Sequence, residues 1–247
     1  LEFRRVLFRS EICIDILKNA RNELYLSMRF FDVILSGFEF LPDTKISGMG
    51  TDGFTVYFYP DYLIGLYQKT PVQVNRAYLH MIFHCLFGHL KQPDHAEEQY
   101  WNLACDIVVE SIIDELNEHS VRKYVPPYRK GVYQKLREKM EVLTPKGVYW
   151  ELLGMHLEEE QFGKMQEEFF VDDHVLWNEN VSPEKCIERE KKWKEQNEKL
   201  QTEMETFSKE ASENAENILN QVQIENRNRY DYRKFLEKLD RKSTRLN

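Results

Sequence analysis

Apolar positions recur along this chain mostly at helical spacing, with one short interruption of strand character. From Glu11 to about Phe40, Ile12, Ile16, Leu17, Leu24 and Leu26 recur on common faces and Phe30, Phe31, Phe38 and Phe40 follow, so the pattern predicts a helix that Pro42 ends. The next stretch, TKISGMGTDGFTVYFYP, is punctuated by Gly48, Gly50 and the turn pair Asp52-Gly53. Its β-branched and aromatic run Phe54–Tyr59 reads as a strand, with Thr44–Ser47 as its hairpin partner. Pro60-Asp61 then opens a helix towards Gln68.

Two strongly apolar helices follow, from about Pro71 to Leu90 and from Glu97 to Asn117, joined by the short loop Lys91–Ala96. So short a connection implies an antiparallel pair. Val125–Pro127 reads as a loop, Gln134–Met140 as helical, and Thr144-Pro145 as the cap and first residue of a helix to Leu153. Ser182-Pro183 caps a long charged helix to about Phe207, in which Ile187 and Trp193 are among few apolar residues. Further helices are expected at Lys209–Gln223 and Tyr232–Leu239. The fold class expected is α+β, mainly α, with a small β-hairpin beside two central helices and a charged helical extension.

The helix around AYLHMIFHCLFGHL (Ala77–Leu90) carries three histidines on an otherwise apolar surface, which needs a chemical reason. His80 and His84 are four residues apart and so about 40° apart on one face, the arrangement by which two imidazoles of one helix grip a zinc ion. The bland alternative is a pair of satisfied core histidines. His89 is five residues further on, re-aimed if Gly88 ends the helix. In the motif His-Glu-x-x-His, the Glu takes a proton from the attacking water. Met81 stands at that position here, and a thioether cannot accept the proton. On the second apolar helix, Asp106 lies among Leu103, Ile107, Val108 and Ile112 and requires a partner, with Glu110 one turn on.

Charge changes the picture mainly by exclusion. The chain has 34 Lys+Arg and 42 Asp+Glu, a net of −8. Leu1–Ser10 and Asp240–Asn247 back-translate to the two strands of one common short-read sequencing adapter and are set aside as an artefact of sequence assembly. They hold six basic and two acidic residues, leaving 28 against 40 and a net of −12 for Glu11–Leu239. A general basic surface for nucleic acid is therefore not expected. The domain boundaries read as 11–180 for the main domain and 181–239 for its helical extension, in a parent chain that continues at both ends. Cys13, Cys85, Cys105 and Cys186 form no CxxC pair, and Cys85 and Cys105 read as small buried hydrophobes, which suggests a reducing, cytoplasmic setting. No apolar run approaches a membrane span.

Several stretches together resemble the metallopeptidase domain found before von Willebrand factor A-like domains in many bacterial proteins. These are Thr51-Asp52-Gly53 with the strand ending at Tyr59-Pro60, LHMIFHCLFGH, WNLACDIVVE, the Asp-Asp-His…Trp at Asp172–Trp177, and Tyr230–Leu236. The family's His-Glu-x-x-His-x-x-x-x-His is matched by His80, His84 and His89 but not at Met81, and its second-helix Asp is matched by Asp106. The resemblance implies a zincin-like fold, bound zinc and a peptide or protein as substrate. It also implies a downstream von Willebrand factor A-like domain and an AAA-type ring ATPase as partners. Two ligands come from His80 and His84, and the third is a carboxylate in related zincins, here Asp106, with His89 and His174 as alternatives. His95, His119 and His156 read as surface or loop residues.

Met81 leaves two readings of function open. In one, the domain is a zinc peptidase, weak or rescued by another carboxylate, for which Glu110 is the best-placed catalytic candidate; its alternative role is a supporting or surface acid. In the other, the domain is a non-catalytic, metal-stabilised module that recognises protein. The segment Thr51–Tyr59 serves either as a strand edge for an extended peptide or as a purely structural hairpin. The charged helix from Glu184 is a solvated face, a partner contact or a lid.

Overall fold

The computed structural model describes residues 2–116, 118–177 and 182–207, together with 220, 223 and 224. It is mainly helical with a small sheet, the class the sequence pattern predicts. Helix α1 (Glu2–Ser27) leads through a 3-10 turn at Arg29–Phe31 and a short α2 (Asp32–Leu35) into strand β1 (Glu39–Pro42). The long helix expected up to Phe40 therefore stops early. Its aromatics Phe38 and Phe40 are two residues apart, the spacing of a strand face, and Gly37 follows Ser36 at the break.

Strands β2 (Met49–Thr51) and β3 (Thr55–Phe58) form the antiparallel pair, with Met49 opposite Phe58 and Thr51 opposite Val56. The strand partner is thus Met49–Thr51 and not Thr44–Ser47. The residues after Pro42 instead bend, with the Lys45 N–H donating to the Asp43 carboxylate at 2.8 Å. The turn between β2 and β3 is closed by Asp52, whose Oδ1 accepts from the N–H groups of Phe54 and Thr55, each at 2.8 Å. β1 adds to the other side of β3 in parallel, giving the order β1-β3-β2.

Helices α3 (Pro60–Lys69) and α4 (Pro71–Phe87) each begin with proline, whose missing N–H costs nothing in a first turn. α4 and α5 (Glu98–Glu115) form the centre of the molecule. Almost every residue of α4 from Val74 onward is buried, which explains why its apolar residues run all round the helix. Polar contacts set the register of the pair: Arg76 meets Asp114, His80 meets Glu110, and His84 meets Asp106. Numbers rise along one helix as they fall along the other, so the two are antiparallel, as the short loop implies.

Around this pair lie α6 (Pro127–Arg137), α7 (Pro145–Gly154), α8 (Glu159–Phe169), a 3-10 turn at His174–Trp177 and α9 (Pro183–Phe207). α6 begins at Pro127, earlier than the periodicity alone suggests, because proline again serves as a first-turn residue. Thr144 caps α7 as expected, its hydroxyl accepting from the Gly147 N–H at 3.2 Å. α8 was not foreseen from the pattern, although Glu158 and Gln161 form a reciprocal capping box at its start. The charged helix α9 is bound to the body of the domain. Arg189 donates to the carbonyls of Asp52, Trp177 and Leu90, the Trp193 indole N–H to the Gly53 carbonyl at 2.7 Å, and Asn197 to the Leu86 carbonyl. Among the described residues no helix is long and apolar enough to cross a membrane. The expected helix Tyr232–Leu239 and the motif Tyr230–Leu236 lie outside the described residues. So does Lys209–Gln223, apart from helical Asn220 and Gln223.

One close approach ties the sheet to the rest. Gly50 of β2 forms a parallel bridge with Asp173, and the Asp173 N–H donates to the Met49 carbonyl at 2.6 Å. A Cβ on Gly50 would lie 2.4 Å from the Asp173 carbonyl oxygen, so no larger residue fits without the two backbones separating. Gly50→Ala is expected to lower the unfolding free energy by about 1–3 kcal/mol. In urea denaturation this appears as a lower midpoint at unchanged slope.

Candidate metal centre

His80 and His84 lie on the face of α4 that meets α5, and both side chains are wholly buried. Their Nε2 atoms are 2.6 Å apart. Asp106 of α5 brings Oδ1 to 3.3 Å from His80 Nε2 and 3.2 Å from His84 Nε2. Two further donors come from the turn after α8. Asp172 Oδ1 is 3.3 Å from His80 Nε2 and 3.9 Å from His84 Nε2, while His174 Nε2 is 3.2 Å from Asp106 Oδ1 and 3.1 Å from Asp172 Oδ1. Three imidazoles and two carboxylates thus each offer one ligand atom, all within 4.8 Å of one another.

The local chain explains how the turn aims two side chains inward from alternate positions. Asp173, between them, faces outward and accepts from the Val175 N–H at 3.1 Å, closing the turn. Its backbone is held by β2, as described. Trp177 lies stacked on His174, ring centroids 3.7 Å apart and planes 21° from parallel, and also packs against His84 at 4.9 Å. This indole orients one imidazole and covers part of another.

Behind the cluster stands a second layer of charge. The His80 Nδ1–H donates to Glu110 Oε1 at 2.9 Å, which leaves Nε2 as the nitrogen facing the centre. Glu110 Oε2 accepts from Arg76 at 2.7 Å and Arg129 at 2.6 Å. Both arginines also reach Asp114, and Tyr133 donates to the same carboxylate at 2.8 Å. Glu110 is thus on the far side of His80 from the converging atoms, with both oxygens engaged. His89 follows Gly88, which caps α4 at φ 71°, and its Nδ1 is 3.0 Å from His84 Nδ1. It therefore touches the outer nitrogen of His84 and is not among the five converging donors. Met81 is fully buried in the apolar core. His95, His119 and His156 are not part of the cluster either.

Electrostatics follow from this packing. Burial opposes charge on every group, and the opposite charges nearby outweigh it on most of them. Against burial, Asp106 and Asp172 hold a proton on His174, raising it to about 10. Against burial too, Asp106, Asp172 and Glu110 raise His80 well above the ordinary imidazole range. Burial and the neighbouring His80 push His84 down to about 4. The carboxyl groups of Asp106 and Asp172 are held below the usual range, chiefly by His174 against the effect of burial. Arg76 does the same for Glu110.

The donor set fits a divalent ion. Nitrogen and carboxylate oxygen without sulfur suit zinc and neighbouring first-row metals. Two imidazole nitrogens face each other at 2.6 Å, and five nitrogen and oxygen donors converge on one buried point, an arrangement that a divalent ion would satisfy. Sequence reasoning missed Asp172 as a donor. The available signal was the acidic pair beside His174, but such a triplet also reads as a surface turn.

The second layer has a measurable consequence. Glu110→Gln removes the charge that balances Arg76 and Arg129 in the interior and is expected to cost about 3 kcal/mol of unfolding free energy. Chemical denaturation of the purified chain measures it, and a change below about 0.5 kcal/mol would mean that the network contributes little.

The sequence profile of the family described as "Putative metallopeptidase domain" matches residues 15–230. No curated protein and no solved structure matches the chain significantly. The matched span takes in β2, β3, both central helices and the turn that carries Asp172 and His174, and on that extent the chain belongs to this family of metallopeptidase-like domains.

Proposed function

We propose that this domain binds a zinc ion through His80, His84 and Asp106 at the α4–α5 seam and acts on peptide or protein with little hydrolytic power. The observation that carries the reading is the convergence of imidazole and carboxylate donors from α4 and α5 on one buried point. When bound, such an ion supplies Lewis acidity towards a peptide carbonyl and lowers the pKa of water. The chain's own residues supply less than a full hydrolase needs. Met81 cannot accept a proton, and Glu110 is turned away from the centre and occupied by His80, Arg76 and Arg129. General acid–base groups typically contribute about 10²–10⁴-fold, so their lack leaves weak turnover.

The alternative reading is a metal-stabilised module that recognises protein without cleaving it. The buried ladder of ion pairs behind His80, which orients a ligand and serves no reacting group, favours this direction. Partnership with a von Willebrand factor A-like domain and a ring ATPase is proposed on the resemblance of the motifs alone, and a cytoplasmic setting on cysteines that form no CxxC pair.

Elemental analysis of the purified chain tests the metal. About one equivalent of zinc is expected, and its loss in the His80→Ala, His84→Ala double variant. Retention of zinc by that variant, or absence of metal from the wild type after loading, contradicts the reading. Cleavage of a peptide library, with a chelator control, tests activity. Products should form slowly and only with metal, and a rate typical of zinc peptidases would contradict the assignment of weak activity.

Metal binding should also compete with protons. His80 and His174 have raised pKa values, to about 10 for His174, so both carry protons at neutral pH in the metal-free protein. Because His80 must give up its proton to ligate, binding is then expected to release about one proton at pH 7, and affinity should rise as pH rises above neutrality. Calorimetry in buffers of different ionisation enthalpy measures the release directly.

A further inference from the structure

The metal reading above makes three ligands of His80, His84 and Asp106, the number a hydrolytic zinc site uses while keeping a position open. Here the remaining space is taken by the chain itself. Asp172 Oδ1 lies 3.3 Å from His80 Nε2, and His174 Nε2 lies 3.2 Å from Asp106 Oδ1, each on the converging point. Side-chain exposure is 0% for His80, His84 and Asp172, 7% for His174 and 10% for Asp106. A peptide carbonyl could not approach without displacing one of these groups.

The turn that bears them is fastened on several sides. The Asp173 N–H holds the Met49 carbonyl, the Val175 N–H holds the Asp173 carboxylate, Trp177 is stacked on His174, and Arg189 of α9 donates to the Trp177 carbonyl at 3.2 Å. Asp172 is fully buried and turns Oδ1 towards His80 and His174, so its charge is answered only at the converging point. A buried carboxylate so placed is expected to favour a cation.

We propose that Asp172 and His174 fill the coordination positions that a hydrolytic site leaves open, so that the ion is a closed clamp fastening the 172–177 turn to the α4–α5 seam. This inference rests on the metal reading, and it goes further by assigning all five donors to one ion. It makes Asp172 and His174 ligands in their own right and gives the ion a structural task.

Cobalt in place of zinc makes the coordination visible through its d–d absorption, with acetohydroxamate as the probe for an open position. In the full wild-type chain loaded with cobalt, saturating acetohydroxamate should leave the spectrum unchanged. In Asp172→Ala, and in the shape-conserving Asp172→Asn, it should shift the bands. X-ray absorption on zinc-loaded wild type should show three imidazoles, falling to two in His174→Ala. A wild-type spectrum that shifts with acetohydroxamate overturns the proposal, and so does a zinc site with two imidazoles in the wild type. Neither result depends on the folding of any variant. A failure of the wild type to take up cobalt or zinc removes the metal reading itself, an outcome distinct from metal bound in an open site.

Discussion

A carboxylate buried without compensation is among the most costly things a protein interior can contain. This domain buries three of them, Asp106, Glu110 and Asp172, within one seam. Everything near the seam can be understood as their compensation. Glu110 is answered by Arg76, Arg129 and His80, and Asp106 and Asp172 by His80 and His174. The antiparallel pairing of α4 and α5 follows from the same requirement, because only one register sets Arg76 against Asp114, His80 against Glu110 and His84 against Asp106. The apolar residues that flank these rungs supply most of the driving force for association, while the polar rungs select the alignment.

The part of this arrangement carried on helices was legible in the sequence. A spacing of four between His80 and His84 fixes a common face, and an acid among Leu103, Ile107 and Val108 announces a buried partner. Those are consequences of helical geometry, which a sequence encodes locally. The contribution of Asp172 and the full role of His174 were not legible, because they depend on a turn of no regular period. Its position is set by a backbone bridge to Gly50, more than a hundred residues earlier in the chain. For Glu110, the sequence placed the residue on the right helix face but could not show that Arg76 and Arg129 converge on it from two other directions. The misreading of β1 has a similar origin. Four residues of strand are too short to outweigh a long helical pattern before them, although the alternation of Phe38 and Phe40 was present.

α9 shows how little composition alone says about a helix. Its charged residues left a solvated face, a partner contact and a lid all open, and a few positions join it to the domain. Arg189, Trp193 and Asn197 donate to backbone carbonyls of the β2–β3 turn, the end of α4 and the 3-10 turn. By holding the Trp177 carbonyl, Arg189 supports the indole that orients His174. The same side chain donates to Asp52 and Leu90, so one guanidinium joins three segments that meet at the rim of the cluster.

The bridge between Gly50 and Asp173 also bears on the order in which the molecule can assemble. His80, His84 and Asp106 come together when two neighbouring helices close a short loop, a fast and local event. The remaining donors arrive only when a segment far along the chain has returned to β2. On a ribosome the first three would emerge and pair well before Asp172 is synthesised. Completion of the cluster therefore waits on a contact that spans more than a hundred residues of chain.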